Sequence, residues 1–476
     1  MPNSPALKNS HADEAKNEIE VFPAKHFFVD SLTRDIDLAD AILDLLDNCV
    51  DGVRRLGLPP GGEYTGHWAK ISFDEASFSI VDNCGGISLE DAIHSAFRFG
   101  RPSDYVPKAD GTIGIIGIGM KRAILKMGKR STVHSHHKDD TFEVKITPEW
   151  LNDDDNWKLH FENAAPALEA PGTRIQVTDL GETAREQFCD ELFKKKLREK
   201  VSGAFAMLIS RGFEVTINDK VVATHIPTLL WQDIAAEGAE VIRPYVYRDI
   251  IDDVEVYIAV GFREEDRTSD DDENDGAKRY YTTDAAGWTV ACNDRVVLYC
   301  DKSEQTGWGT GRVPEYHTQF IKIAGFAEFR SKDTGKLPFT TTKHGINQQA
   351  KVFLKVFDVM REGTKTFTDW TNRFKDYGAQ KDEVFTTANA RSASVEEIKA
   401  FIPAPTAAIG QVKSTPVISK PELPKPKSDK KERVISFRRP ESEIRAVANH
   451  LFGDEDERPA RVGERCFEQV LNQVTT

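Results

Sequence analysis

The stretch Leu38–Gly52, LADAILDLLDNCVDG, has the pattern of a helix with one apolar face and one acidic face. Its apolar residues recur at three- and four-residue spacing, which predicts an amphipathic helix. They are Leu38, Ala41, Ile42, Leu45, Leu46 and Cys49. The other face has no cation and carries Asp40, Asp44, Asp47, Asn48 and Asp51. Like charges four residues apart destabilise an isolated helix, so this row needs an explanation. Either a divalent cation with oxygen ligands and a water held for attack accounts for it, or the face is simply exposed and acidic.

A turn with paired glycines follows this helix. Residues 69–81 alternate like two short strands of a hairpin, and Asp82-Asn83-Cys84-Gly85-Gly86 comes at their end. A carboxylate at a strand end, followed by glycines, places an acceptor where the backbone can approach a flat ligand. An ordinary Asp-Asn turn is the alternative interpretation.

A glycine-rich loop is the third feature. Gly111–Lys121, GTIGIIGIGMK, leads into a predicted helix. Bare amides at a helix N-terminus, with Lys121 beside them, favour phosphate. The spacing differs from that of the P-loop, and glycine-rich turns without a ligand are common. Further along, Gly172-Thr173 begins a predicted strand and could present a hydroxyl at its end.

Bulk properties limit the class of protein. The 476 residues should hold two or three domains, and the net charge of −14 argues against a protein coated in nucleic acid. The N-terminus lacks the pattern of a signal peptide, and no apolar run could span a bilayer. The six cysteines are scattered without a CxxC pair, which favours reduced thiols in the cytoplasm.

Taken in order, the motifs D-x-x-D-N, D-N-x-x-G, G-x-x-G-x-G-x-K and G-T resemble those of the GHKL ATPase superfamily. This superfamily includes gyrase-type topoisomerases, histidine kinases, MutL proteins, large heat-shock chaperones and MORC ATPases. The resemblance implies a Bergerat fold, an α/β sandwich that holds ATP and Mg²⁺ between helices and a mixed sheet. Within this superfamily, the chain resembles the MORC and MutL branches most.

The resemblance also assigns roles to individual residues. Asn48 would hold Mg²⁺, and Asp44 would activate the attacking water. Asp82 would accept the adenine amino group, Gly86 would let the base lie close, and Thr173 would support the adenine end. The phosphates would be wrapped by Gly114, Gly117, Gly119 and Lys121.

Two positions depart from the family pattern. Glutamate is usual where Asp44 stands, and the side chain of Asp44 is one methylene shorter, so slow hydrolysis is expected. Cys84 occupies the place of the first glycine in the adenine loop.

The second half of the chain resembles the transducer domains of MutL and MORC proteins. Residues 287–297 read as a strand, a turn and a second strand, and Leu337–His344 resembles the loop that sends a lysine, here Lys343, to the γ-phosphate. The alternative for Lys343 is an ordinary surface lysine. The predicted organisation is a polar arm at 1–22, the ATP-binding domain at 23–182, a transducer-like α/β domain at 183–385, a Pro/Lys-rich linker at 386–440 and a small helical element at 441–476.

These expectations describe an ATP hydrolase that works as a nucleotide-gated homodimeric clamp. DNA is the expected client, in a maintenance or defence role, and Lys413–Arg439 carries nine basic residues against three acidic ones. The segment 97–108 would close over the nucleotide. The alternatives are a chaperone-like clamp on protein clients and an ATP-sensing scaffold with weak hydrolysis. A cytoplasmic or nucleoid-associated location without membrane contact is expected, and other protein partners remain open.

Overall fold

The computed structural model describes most of the chain and divides it into two compact units. The described residues are 24–100, 109–114, 117–138, 140–163, 168–233, 240–264, 283–340, 342–387, 390–405, 414–427 and 435–475. The units are Met1–Arg373 with Glu383–Lys425, and Phe374–Asp382 with Pro426–Thr476. The predicted arm at 1–22 and most of the segment 97–108 lie outside the described residues.

The described residues of the larger unit form an eight-stranded sheet, a six-stranded sheet and a two-stranded sheet, and helices pack on the two large ones. Its helices are α1 Lys25–Thr33, α2 Leu38–Arg55, α3 Leu89–Asp91, α4 Gly119–Met127, α5 Pro148–Leu151, α6 Glu182–Cys189, α7 Glu191–Ala204, α8 Ala206–Ser210, α9 Lys351–Arg373, α10 Gly378–Thr387 and α11 Val395–Phe401. The residues of α10 are divided between the two units. Its strands are β1 Trp68–Phe73, β2 Phe78–Asp82, β3 Gly128–His136, β4 Thr141–Ile146, β5 Phe161–Glu162, β6 Gly172–Leu180, β7 Glu214–Ile217, β8 Lys220–Val221, β9 Leu229–Trp231, β10 Tyr245–Ile251, β11 Val254–Phe262, β12 Gly287–Cys292, β13 Arg295–Asp301, β14 Ile323–Arg330, β15 Arg391–Ala393 and β16 Val417–Ser419.

The first sheet has eight strands in the order β5-β4-β3-β6-β2-β1-β7-β8. All neighbours are antiparallel except β1 and β7. Alternate residues of β1 and β2 point to one face, where the apolar stripe of α2 and the buried side of α4 cover them. The acidic face of α2 therefore lies where α4 and the ends of β2 and β6 meet.

The second sheet has six strands in the order β13-β12-β14-β11-β10-β16. Nearly every residue of β11 and β12 is buried, as expected for strands covered on both faces. On one face α9 approaches so closely that a Cβ at Gly363 would lie 2.4 Å from Val260 Cγ1. On the other face α11 packs against Tyr257 and Ala259.

The predicted mixed α/β fold class is confirmed, and most predicted helices and strands occur within a few residues of their expected bounds. The first core runs from Ile36 through α6 and α7 to Val222, because β7 pairs with β1. Within 386–440, β15 pairs with β9, and β16 pairs with β10. The domain bounds stay a prediction.

The smaller unit contains two further helices, α12 Glu441–Phe452 and α13 Pro459–Thr475. Ala448 of α12 and Val462 of α13 are buried. Among the described residues of the whole chain, no helix combines the length and the apolar character that crossing a membrane requires.

Candidate functional site

A cavity of about 210 Å³ lies between α2, α4 and the ends of β2 and β6. Nine of the ten predicted site residues line it: Asp44, Asn48, Asp82, Gly114, Gly117, Gly119, Lys121, Thr173 and Lys343. They come from five separate parts of the chain. The structure therefore brings together what the sequence motifs place far apart, although the role of each residue remains a prediction.

Asp82 stands at one end of the cavity, where β2 stops. Its Oδ1 accepts hydrogen bonds from the backbone amides of Cys84 at 2.8 Å and Thr173 at 3.3 Å. Among the described residues, its Oδ2 accepts only from the thiol of Cys49, at 3.5 Å. Burial raises the pKa of the Asp82 carboxyl above its ordinary value, despite the two amides. One oxygen thus retains capacity for a donor such as an exocyclic amino group.

Gly86 does not line this cavity, in contrast to its predicted place beside the base. Its φ is +70°, and a Cβ there would lie 2.3 Å from the carbonyl oxygen of His136 and 3.0 Å from that of Gly172. Glycine is required at this position because the turn packs against the ends of β3 and β6.

The acidic face of α2 is neither exposed nor without partners. Asp40 contacts His344 Nε2 at 2.9 Å and also pairs with Lys200. At the other end of the row, Asp51 is 7% exposed and accepts from the amides of Ile113 at 2.5 Å and Gly114 at 2.9 Å. The row of acids is stabilised by protein groups from distant segments, so a metal ion is not needed to explain it.

Two acids in the middle of the row share one lysine. Lys343 Nζ lies 3.2 Å from Asp44 Oδ1 and 2.7 Å from Asp47 Oδ2. Arg122 donates to Asp44 Oδ2 at 2.6 Å, and Arg295 donates to Asp47 Oδ1 at 2.8 Å. Burial alone would raise the pKa of Asp47, but the charges of Arg295 and Lys343 lower it.

Lys343 reaches this position from the tip of a tight loop after β14. The amide of Thr340 donates to the carbonyl oxygen of Gly345, and the amide of Lys343 donates to that of Thr340. Lys343 has a φ of +59°, which is uncommon for a residue with a side chain. Burial would lower the pKa of its ammonium, and the charges of Asp47 and Asp44 raise it instead. The lysine therefore remains charged inside the protein.

The glycine-rich loop lies against α2 and runs into α4. Gly117 has a φ of +75°, which only glycine adopts without cost. Lys121, in the first turn of α4, is 3% exposed and donates to the carbonyl oxygens of Ala96 at 2.7 Å and Gly117 at 2.5 Å. Burial lowers the pKa of Lys121 to about 7. An amide-rich helix start with a buried, uncompensated ammonium suits an anion.

Asn48 suits a magnesium ion whose other ligands are mostly waters and substrate phosphates. The ligand atom would be its Oδ1, and its buried Nδ2 has no hydrogen-bond partner among the described residues, so no contact of Nδ2 holds the amide in another orientation. The described residues contain no cluster of three or more His, Cys, Asp or Glu side chains arranged for a metal. Mg²⁺ commonly takes one or two protein oxygens and completes its shell with waters and substrate phosphates.

Three residues at the site were not predicted from the sequence. Arg122 and Arg295 pair with the acids of α2, and Gly52 lets α2 approach the turn at Cys84, where a Cβ would lie 2.5 Å from the Cys84 carbonyl oxygen. Arg122 follows Lys121 directly, so its position at the cavity was inferable from the motif. The contact of Arg295 with Asp47 spans 248 residues and leaves no local signal.

A comparison with known protein families matches the segment that carries most of these cavity residues. Residues 36–170 match the family model described as histidine kinase-, DNA gyrase B- and HSP90-like ATPase. This segment holds α2, the Asp82 turn and the glycine-rich loop. No curated protein matches the chain. Residues 36–170 therefore match a GHKL-type ATPase domain, a class of domain that binds ATP and hydrolyses it.

Proposed function

We propose that the chain is a Mg²⁺-dependent ATPase of the MORC/MutL kind that acts as a nucleotide-gated dimeric clamp on DNA. The observation that carries this proposal is the contact of Lys343 with Asp44, across 299 residues. A loop of the second sheet supplies a cation to the nucleotide cavity of the first. A ligand in this cavity can therefore be sensed by both parts of the larger unit.

The residues of the cavity divide the chemistry among them. Asp82 and Thr173 receive the base, while the loop amides, Lys121 and the α4 N-terminus bind the phosphates. Magnesium, held through Asn48, would neutralise charge on the phosphate oxygens. Lys343 moves from the acids to the γ-phosphate, where it balances the charge that develops as the bond breaks.

Asp44 positions the attacking water. The oxygen of this water bonds to the γ-phosphorus, and the bridging P–O bond breaks with its electron pair leaving on ADP. The proton of the water passes to Asp44 and then to solvent. The shorter side chain of Asp44 makes this step slow compared with that of a glutamate in the same place.

An ATP-sensing scaffold with weak hydrolysis is the second candidate. Both oxygens of Asp44 are paired with cations, Arg122 on one and Lys343 on the other. A carboxylate held in this way is a weaker acceptor for a proton of the water, and it becomes a stronger one when a cation leaves. Hydrolysis then depends on how far ATP displaces Lys343.

The charged segment Lys413–Arg439 supports the DNA client only in part. The structure describes five of its basic residues, and three of these lie beside acids of the chain: Lys420 pairs with Glu362, Lys425 lies 3.9 Å from Glu240, and Arg439 lies 3.7 Å from Glu443. Arg438 and Arg439 are exposed. If duplex DNA does not bind at any salt concentration, the chaperone-like clamp on protein clients replaces the DNA clamp.

Size measurement with and without nucleotide tests the proposal. The protein is chromatographed alone, with Mg²⁺ and a non-hydrolysable ATP analogue, and with both plus duplex DNA. A shift to twice the mass only when the analogue and Mg²⁺ are both present is expected, with DNA retained in the dimer peak.

Asn48→Ala is the matched variant for this experiment. It should stay monomeric with the analogue and lose ATPase activity, because the magnesium ligand is gone. A nucleotide-independent mass, or ATPase activity in Asp44→Ala equal to that of the wild type, would contradict the proposal.

A further inference from the structure

Arg122 is a charged residue of the cavity that the family motifs do not assign. It lies in the first turn of α4, directly after Lys121, and its guanidinium lines the cavity. Its Nη2 donates to Asp44 Oδ2 at 2.6 Å, with only 19% of the Arg122 side chain and 9% of the Asp44 side chain exposed. Because water is largely excluded from this ion pair, the attraction between the two charged groups is only weakly screened.

The two cations on Asp44 are attached to the protein in different ways. Arg122 extends from a helix whose neighbouring residues Ala123 and Ile124 are packed into the first core together with α2. Lys343 extends from the tip of a loop, and it has Asp47 as a second partner. The distance from α4 to α2 is therefore set by core packing, whereas the reach of Lys343 is set by a loop with unusual backbone geometry.

This difference suggests which cation stays when a triphosphate enters. Lys343 can leave Asp44 Oδ1 for a phosphate, since Asp47 keeps Arg295 as a partner. Core packing of α4 keeps the backbone of Arg122 in place, so its guanidinium stays within reach of Asp44. Its Nε is buried and unpartnered among the described residues, so the guanidinium still has a donor for a ligand.

We propose that Arg122 is a positioning residue that holds Asp44 by Oδ2 and leaves Oδ1 to orient the water. The inference rests on the proposed ATPase function. A shorter acid swings through a wide range of positions unless it is held, and misplacement of a catalytic group by about 1 Å can cost 10²-fold in rate. The guanidinium compensates for the missing methylene by fixing the carboxylate.

The test compares Arg122→Met and Arg122→Lys with the wild type and with Arg130→Met, whose side chain is exposed on β3. For each protein, kcat, the Kd of a non-hydrolysable ATP analogue and the melting temperature are measured. Arg122→Met should lower kcat by about 10- to 100-fold while Kd changes by less than about threefold. Arg122→Lys keeps the charge but loses the planar fork, so it should also lose about tenfold in kcat. Arg130→Met should match the wild type.

A double variant separates positioning from a general loss of charge. A glutamate is long enough to reach the water without the guanidinium, so Arg122→Met should cost at least about fivefold less in kcat when combined with Asp44→Glu.

Several results would overturn the inference. They are a wild-type kcat in both Arg122 variants, a higher kcat in Arg122→Met (which would make Arg122 an inhibitory latch), or an equal loss in the Asp44→Glu background. If Arg122→Met fails to fold, Arg122→Lys decides by the same criteria. A wild type that hydrolyses no ATP refutes the proposed function itself, whereas an active wild type with unaffected variants refutes only the role of Arg122.

Discussion

Lys121 shows how a single buried residue can make ligand binding depend on pH. Its ammonium has carbonyl oxygens as partners, and burial lowers its pKa to about 7. In the unfolded chain the same group titrates near 10.4. At pH values between about 7 and 10.4, Lys121 is therefore largely neutral in the folded protein without ligand. A bound phosphate favours its charged form.

Nucleotide affinity should therefore fall as pH rises above about 7. Binding a phosphate raises the pKa of Lys121, so the complex takes up a proton, and each pH unit above 7 weakens binding by up to about tenfold. Titration calorimetry with the analogue at pH 7.5, 8 and 9, in buffers of different ionisation enthalpy, measures both effects. Lys121→Met should bind more weakly at pH 7 and show neither the slope nor the proton uptake; a slope that persists in this variant would assign it to another group.

The element that organises the site is α2, because one face enters the core while the other meets every part of the cavity. Its last turns are in close van der Waals contact with the turn at residues 82–86. A Cβ at Gly52 would lie 2.5 Å from the carbonyl oxygen of Cys84 and 2.9 Å from its Cβ. Such distances cannot be relieved by a flexible side chain, since both atoms belong to or adjoin the backbone.

Gly52→Ala should thus destabilise the domain, although alanine is the better helix former by about 1 kcal/mol. The overlap is expected to cost about 1–3 kcal/mol and to displace Asp82 through the turn, which lowers nucleotide affinity. Thermal unfolding and analogue binding check this. Gly463→Ala is the control: this glycine is also helical, in α13, and an added Cβ meets nothing within 4 Å. An unchanged melting temperature in Gly52→Ala would show that α2 and the turn separate more easily than the structure indicates.

At the scale of the larger unit, the two sheets are joined by a buried ionic cluster around Asp294. This residue lies in the turn between β12 and β13 and accepts from Tyr64 at 2.6 Å and from Arg54 of α2 at 3.1 Å. Arg211 and Arg330 complete the cluster. Burial would raise the pKa of Asp294, but the three arginines hold it at about 2. Arg54 belongs to the same helix as Asp44, so the cluster links the nucleotide cavity to the second sheet.

Asp294→Asn should lower the free energy of unfolding strongly, by about 3–5 kcal/mol, because the buried Arg54 loses its carboxylate partner. Arg211 and Arg330 would keep only Glu328 and Glu396. Asp253→Asn is the matched control, since Asp253 occupies the corresponding place in the β10–β11 turn, also with positive φ, but its side chain is 86% exposed. Denaturant unfolding of both variants measures the difference. Equal stability of the two would mean that the cluster does not join the sheets energetically.

The carboxylate of Asp294 should also make the free energy of unfolding depend on pH in the acidic range. The folded pKa of Asp294 lies below its unfolded value of about 3.9, so its contribution is complete above about pH 4 and is lost as pH falls toward 2. The difference in unfolding free energy between wild type and Asp294→Asn should shrink over that range.

The sequence by itself determined the local structure and nine of the ten candidate residues that meet at the cavity. Apolar spacing fixed α2, alternation fixed β1 and β2, and the glycines marked the turns, because these patterns act between residues close in the chain. Spaced motifs were sufficient to select Asp44, Asn48, Asp82 and Lys343 as neighbours.

Only the tertiary structure decided how the acids of α2 are balanced and why Gly86 is a glycine. Arg295, Lys343 and His344 reach these acids across roughly 250–300 residues, and Gly86 packs against strands far along the chain. Pairings of this kind depend on how the two sheets pack, and no periodicity in the sequence encodes them. The row of acids on α2 would destabilise an isolated helix, but in the folded protein cations from distant segments pair with these acids.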